Sequence, residues 1–276
     1  MFDFAKKLQK IWHRLGPGLI TGAADDEPSA IATYSIAGAK FGYRFLWIAL
    51  FSLPFMIAIQ EMSGRIGRVS NRGLAGNMKK FYPRWLMFLI AALIVGANTI
   101  NIGADMSGMS QALAMIAPFP EKITAIIMTV IILLITVFLP YKKIFAIFKW
   151  LALTLFAYIF ATFSIHQNWS EILRHTFVPN FILNRDFFLI LTAFMGTTLS
   201  PYLYFWQANQ EVEEKTIEQC KPGKICRLRP ATEEDLHSLK LDTRIGMTFS
   251  NIITFFIIAL AASTLFRAGL HNIETL

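Results

Sequence analysis

The sequence predicts an all-α polytopic membrane protein built as an inverted repeat, and three observations predict it. Of 276 residues, 55% are hydrophobic and only 16% are charged, where a soluble domain carries about a quarter charged residues. Seven apolar stretches approach the length of about 20 residues that a helix needs to cross a bilayer. The first and sixth of these are interrupted near their middles by small and polar residues that end in a proline.

Taken in order, the apolar spans lie at 17–38, 43–64, 85–116, 122–140, 143–165, 186–210 and 246–267. Residues 1–16, MFDFAKKLQKIWHRLG, are basic and amphipathic. They predict an N-terminal segment lying at the membrane interface rather than a cleavable signal peptide. The third span exceeds one straight crossing, and tilt or an extramembrane extension would absorb the excess. Residues 17–210 thus hold spans one to six, residues 211–245 a polar cytoplasmic loop, and residues 246–276 the seventh span and the C-terminal end. Within the loop, Lys-Pro-Gly-Lys and Arg-Pro mark breaks. Thr232, three residues before Asp235, predicts the cap of a short amphipathic helix. No soluble catalytic domain is visible.

The net charge is +8. In a soluble protein that would suggest nucleic acid, but here the basic residues sort by side of the membrane. When loops are assigned alternately, 20 of the 26 Lys and Arg fall on one side. The positive-inside rule makes that side and the N-terminus cytoplasmic. The expected location is a bacterial-type inner membrane, multi-pass, with the lipid bilayer as partner and no nucleic acid. Cys220 and Cys226 lie in the polar loop, on the side where thiols stay reduced. A metal site with His237 is the less favoured reading, because C-x5-C fits no common zinc spacing. Two free thiols are expected.

The interruptions carry the chemistry. They read Gly22-Ala-Ala-Asp-Asp-Glu-Pro28 and Gly196-Thr-Thr-Leu-Ser-Pro201. Proline removes a backbone donor and turns its predecessor away from helix. Two interrupted helices five spans apart point to an inverted-repeat secondary transporter with its ion site between the breaks. Asp25, Asp26 and Glu27 facing lipid would each cost about 3 kcal/mol or more. They persist where a half-helix N-terminus at Pro28 faces Asp26 and Glu27 and where unwound carbonyls bind a cation. Asp25 is expected to face a vestibule or to be partly protonated. In a rival reading the acids sit in an extracellular loop, but each flank is then too short to span.

Asn98, Asn101 and Asp105 share one helix face, which suits either an ion pathway or interhelical hydrogen bonding. Gln207 carries the same two readings. Glu61 and Arg65 predict a surface i,i+4 pair, and the 25 Phe predict lipid-facing packing.

The stretch GPGLITGAADDEPSAIATYSIAGAKFGY resembles the first helix of the natural-resistance-associated macrophage protein (Nramp) family of divalent metal transporters, whose motif there is Asp-Pro-Gly-Asn. Aligned through GAKFGY, that motif falls on Glu27, Pro28, Ser29 and Ala30. The family's sixth-helix Met-Pro-His falls on Ser200, Pro201 and Tyr202. The resemblance covers essentially the whole chain. It implies the LeuT-type inverted-repeat fold with the first repeat complete and the second partial. The family has at least ten core helices, so the chain looks C-terminally truncated. Further C-terminal helices or self-association would complete it.

The resemblance implies metal ligation by Asp26 and Glu27, by the backbone carbonyl of Thr197 and by the Ser200 hydroxyl. Asp25, Tyr202, Asp105, Asn101 and Gln207 would line the ion pathway. No cofactor and no enzymatic activity are implied; the divalent cation is cargo. Ser200 replaces a soft sulfur ligand with a hard oxygen, which suits Mg²⁺, as in the Nramp-related magnesium transporters. Tyr202 replaces the histidine, and Ile102 stands where a helix-3 acid is expected, so transport without proton coupling is predicted. Proton-coupled Mn²⁺/Fe²⁺ symport and a non-transporting fragment remain the alternatives. An intramembrane aspartyl protease fits poorly, because Gly103-Ala-Asp105 is a weak match to its Gly-x-Gly-Asp setting and there is no Tyr-Asp pair. A channel would use the broken helices less well than alternating access does.

Overall fold

A computed structural model describes residues 17–116, 120–139, 143–144, 147, 150–220 and 228–271. The N-terminal amphipathic segment and Cys226 lie outside the described residues. All regular structure among those described is helical.

The first span is two half-helices, α1 (Pro17–Asp25) and α2 (Pro28–Phe41). Pro28 opens α2, where its missing N–H costs nothing and its fixed φ is already helical. A 3₁₀ turn (Gly42–Phe45) leads into α3 (Leu46–Ser70). Then come the short α4 (Leu74–Phe81), the long α5 (Arg84–Ala114) and α6 (Glu121–Phe138). After a 3₁₀ turn (Ala152–Leu155) follow α7 (Phe156–Ser164) and α8 (Trp169–Phe177). The sixth span is again split, into α9 (Arg185–Thr198) and α10 (Pro201–Gln219), with Pro201 opening the second half. Last is α11 (Glu233–Ala261), which ends in a π turn (Ala262–Phe266). Among the described residues, five helical stretches are long and apolar enough to cross a membrane.

Two expectations shift here. The 211–245 loop is helical at both ends, since α10 runs to Gln219 and α11 starts at Glu233. The Thr232–Asp235 box does form: the Asp235 N–H donates to Thr232 Oγ1 and the Thr232 N–H to Asp235 Oδ2. It caps one long helix continuous with the seventh span instead of a short one. The free-thiol expectation is corrected at Cys220, which is disulfide-bonded. That expectation rested on the side given to the loop, and side says nothing of whether a second sulfur is within reach.

The chain folds as two compact units, each discontinuous in sequence. One gathers residues through Ala24, Leu53–Val95 and Leu199–Ser250. Its helices approach closely at glycines: a Cβ at Gly22 would collide with the Gly246 carbonyl, and one at Gly67 with that of Ala208. Arg68, nearly buried, is ringed by four acids, Glu211, Glu214, Glu218 and Asp235, at 3.1–3.6 Å. Buried Lys215 donates to the Arg68 carbonyl (2.9 Å) and to Asn71 Oδ1 (2.6 Å). Its ammonium therefore satisfies the C-terminal end of α3, where a cation is favoured. Asn71 turns the chain there with φ 54°. Arg65 and Glu61 form the expected i,i+4 pair at 3.7 Å.

The other unit gathers Asp25–Ser52, Gly96–Thr198 and the residues from Asn251 on. Its α2 lies against α9 and the π turn. Gly38 permits the contact with α11, since a Cβ there would lie 2.6 Å from the Ile258 carbonyl oxygen. Phe45 packs on Phe187 with centroids 4.8 Å apart, and Tyr34 on Phe194 at 5.0 Å. Phe45, Phe187 and Phe194 are fully buried, which corrects the lipid-facing reading for these three. The small residues of α2 (Ala30, Ala37, Ala39) are fully buried as well. Phe88, on α5, is exposed as the lipid-facing reading expects, and so are other large apolar side chains there and on α6, such as Leu93, Ile126 and Leu133, of which that reading says nothing.

Candidate metal-binding site

The site is built where α1 stops and α2 starts. Helix ends at Asp25, and Asp26 and Glu27 form the connection. Glu27 is extended, at φ −72° and ψ 165°, in the N-cap position of α2. Its side chain does not cap that helix but reaches α5. Asn101 Nδ2 donates to Glu27 Oε1 at 2.6 Å. The Ser29 hydroxyl lies 3.1 Å from the same oxygen and 3.0 Å from Asn101 Oδ1. The Ser29 N–H donates to Asp105 Oδ1 at 3.0 Å. Asn101, Asp105 and Gly108 recur at helical spacing, so they face the break together. Gly108 sets how near α5 comes: a Cβ there would lie 3.2 Å from Pro28 Cβ.

Asp26 is held from another direction. Thr254 Oγ1, on α11, donates to Asp26 Oδ1 at 3.3 Å. Asp25 and Asp26 are buried, at 1% and 5% exposure, so Asp25 does not open on solvent as the vestibule reading expects. At the end of α9, Thr197 precedes Thr198, whose hydroxyl meets the Tyr34 hydroxyl at 3.2 Å. One unit thus joins Glu27, Ser29, Asn101 and Asp105 in a polar network and holds Asp26 through Thr254, with Thr197 in the same unit.

Ser200, Tyr202 and Gln207 belong to the other unit. Ser200 is buried and extended, at φ −75° and ψ 123°, ahead of Pro201. Gln207 is fully buried and donates to Thr243 Oγ1 at 2.9 Å, while its amide oxygen has no hydrogen-bond partner.

Sequence reasoning misses Ser29, Thr254, Tyr34 and Thr198. A signal existed for Thr254: Asn251 and Thr254 are polar positions three apart in an otherwise apolar run. Among the described residues, no three His, Cys, Asp or Glu side chains are grouped to hold a metal. Two carboxylates supplemented by neutral oxygens or water would have to do so. Two cavities offer no better cation site. One of about 300 Å³ is lined by Arg44, Arg267 and His175 with Glu171, and burial lowers the His175 pKa there. One of about 550 Å³ is lined by Arg68 and Arg229 with Asp235, which pairs with both.

A profile of the natural resistance-associated macrophage protein-like (Nramp) family matches residues 18–276. The chain belongs to this family. Among relatives, a "Divalent metal cation transporter MntH" of Caldanaerobacter subterraneus is 27% identical over 270 residues, covering 96% of this chain and 61% of that protein. A protein of the same description from Staphylococcus haemolyticus is 27% identical, covering 98% of the chain and 60% of its own length. A crystal structure of a manganese transporter from Eremococcus coleocola superposes with a TM-score of 0.72 at 17% identity, over 93% of the chain and 52% of that structure. The chain therefore has the fold of Nramp transporters, all-helical and LeuT-type. It spans about three fifths of the length of these curated relatives. It is a multi-pass membrane protein, and the MntH proteins it resembles are named as transporters rather than enzymes.

Proposed function

We propose that the chain binds and passes divalent metal cations across the plasma membrane, with Asp26 and Glu27 as the charged ligands. One observation carries this. Two adjacent acids at a helix break are oriented by neutral donors from two different helices, Asn101 on α5 and Thr254 on α11. That arrangement fixes carboxylate oxygens at the break, where a cation can use them as ligands. The Thr197 carbonyl, in the same unit, is a further ligand. Ser200 takes its role as an oxygen ligand from the sixth-helix motif, with Tyr202, Asp25, Asp105 and Gln207 along the pathway and the N-terminus cytoplasmic.

Mg²⁺ is the favoured cargo, because every ligand in this set is a hard oxygen and Mg²⁺ keeps several of its waters. The manganese transporter of the same fold supports Mn²⁺ as a second reading. Transport is uncoupled from protons, since Tyr202 stands at the position of the family's histidine.

Flux of Mg²⁺ and Mn²⁺ into proteoliposomes, with Asp26→Ala/Glu27→Ala as control, tests the proposal. Entry of either ion, lost in the control, supports the site, and the ratio of the two decides the cargo. Entry of neither refutes transport by this chain. Acidifying the outside is expected to leave uptake unchanged, and an inward proton current that tracks the metal would refute uncoupled transport.

A further inference from the structure

Glu27 Oε1 already serves as an acceptor. Asn101 Nδ2 approaches it at 2.6 Å, short for a hydrogen bond to a carboxylate, and the Ser29 hydroxyl stands at 3.1 Å. The amide orientation is fixed by chemistry: turned over, its oxygen would face a carboxylate oxygen at that distance. The Ser29 hydroxyl has one proton, which serves Glu27 Oε1 or Asn101 Oδ1. In the first case both lone pairs of Oε1 are filled. In the second, Ser29 holds the amide in place for its own donation. The Ser29 backbone is anchored in turn by its N–H to Asp105. Ser29 stands on the second residue of α2 and Asn101 on α5, so the clamp ties two helices to one oxygen.

We infer that Ser29 and Asn101 are specificity-determining positioning residues that commit Glu27 Oε1 to the protein and make Glu27 a one-oxygen ligand, selecting small octahedral cations against Ca²⁺. Mg²⁺ demands near-ideal octahedral geometry and keeps its waters, which one carboxylate oxygen satisfies. Ca²⁺ takes six to eight oxygens, often with a carboxylate gripping it through both. A glutamate whose Oε1 is held by an amide at 2.6 Å presents the two-oxygen grip only after breaking that bond. The inference rests on the assignment of Glu27 as a cation ligand.

The test is equilibrium binding of Mn²⁺ to the purified 276-residue chain in detergent, by electron paramagnetic resonance of the free ion, with Mg²⁺ and Ca²⁺ as competitors. Wild type, S29A, S29T, N101A and E27A are compared. In S29A and N101A, Ca²⁺ is expected to gain about tenfold against Mg²⁺, the scale of one lost hydrogen bond to a charged group. S29T, which keeps the hydroxyl, is expected to restore the ratio that S29A loses. A merely structural role would lower the affinity for all three ions together. An unchanged Ca²⁺/Mg²⁺ ratio in S29A, or S29T behaving as S29A, overturns the inference while leaving the site intact. Binding in E27A equal to wild type overturns the site and the inference with it. If N101A does not fold, judged by its elution profile, S29A and S29T carry the comparison, because alanine and threonine are both accommodated in the first turn of a helix.

Discussion

Two clusters of acids stand out among the described residues, each with a buried member, and the protein treats them in opposite ways. Around Arg68, four acids converge on one guanidinium at 3.1–3.6 Å, so the protein supplies the counter-charge. At the first helix break, an amide and two hydroxyls, all neutral, donate to Glu27 Oε1 and Asp26 Oδ1. These donors orient the oxygens without neutralising them. The first arrangement is structural. The second is what a transient cation site requires, because a resident arginine would compete with the cargo.

The largest expected effect separates the two directly. Glu27→Ala should bring metal uptake down to the level of empty vesicles, since one of two charged ligands is gone, without moving the melting temperature by more than a few degrees. Near-normal flux would remove Glu27 from the site. Arg68→Met should do the reverse in kind: the chain loses about 3–5 kcal/mol, because buried Glu211 is left without its counter-charge. Glu211 is 2% exposed and dominates that loss, while Glu218, half exposed, adds little. Thermal unfolding in detergent measures it. Acidification should recover part of the loss in this variant, since protonated acids need no partner. An unchanged melting curve would show that the four acids do not depend on Arg68.

Ser200→Met probes the second break and is expected to have a smaller effect. A thioether at this position should shift preference toward Mn²⁺ by about tenfold, as softer ligands favour the later metals. An Mg²⁺/Mn²⁺ ratio that stays at the wild-type value would exclude Ser200 from the ligands.

Both breaks were legible in the sequence because their signals are local. A proline after a polar residue inside an apolar run specifies where a half-helix begins, and Pro28 and Pro201 do begin α2 and α10. The acids of the Arg68 cluster were half legible: Glu211, Glu214 and Glu218 recur at helical spacing, but their partner lies some 150 residues away and counted only as a cytoplasmic charge. The donors were not legible as donors. Asn101 is 74 residues from Glu27, and Thr254 is 228 from Asp26. Periodicity places Asn101 on a face with Asp105 but does not say what that face meets. Gly108, which lets α5 approach Pro28, reads in sequence as one more small residue in an apolar helix.

Tyr34 offers the finest cut between structure and site. Its hydroxyl meets Thr198 at 3.2 Å, linking α2 to the end of α9, one residue from Thr197. It is fully buried, on the same half-helix as Ser29 but more than a turn further along. If the link only fastens the two half-helices, losing the bond to Thr198 in Tyr34→Phe costs about 1 kcal/mol. The packing on Phe194 survives, since the ring is unchanged. The Thr198 hydroxyl, in the last turn of α9, can then turn to the carbonyl four residues back, which holds the loss to a few degrees of melting temperature. Mn²⁺ affinity should not change. A fall in affinity without a matching fall in stability would mean that the link also sets where the Thr197 carbonyl points, and the cation site would then extend from the first break to the end of α9.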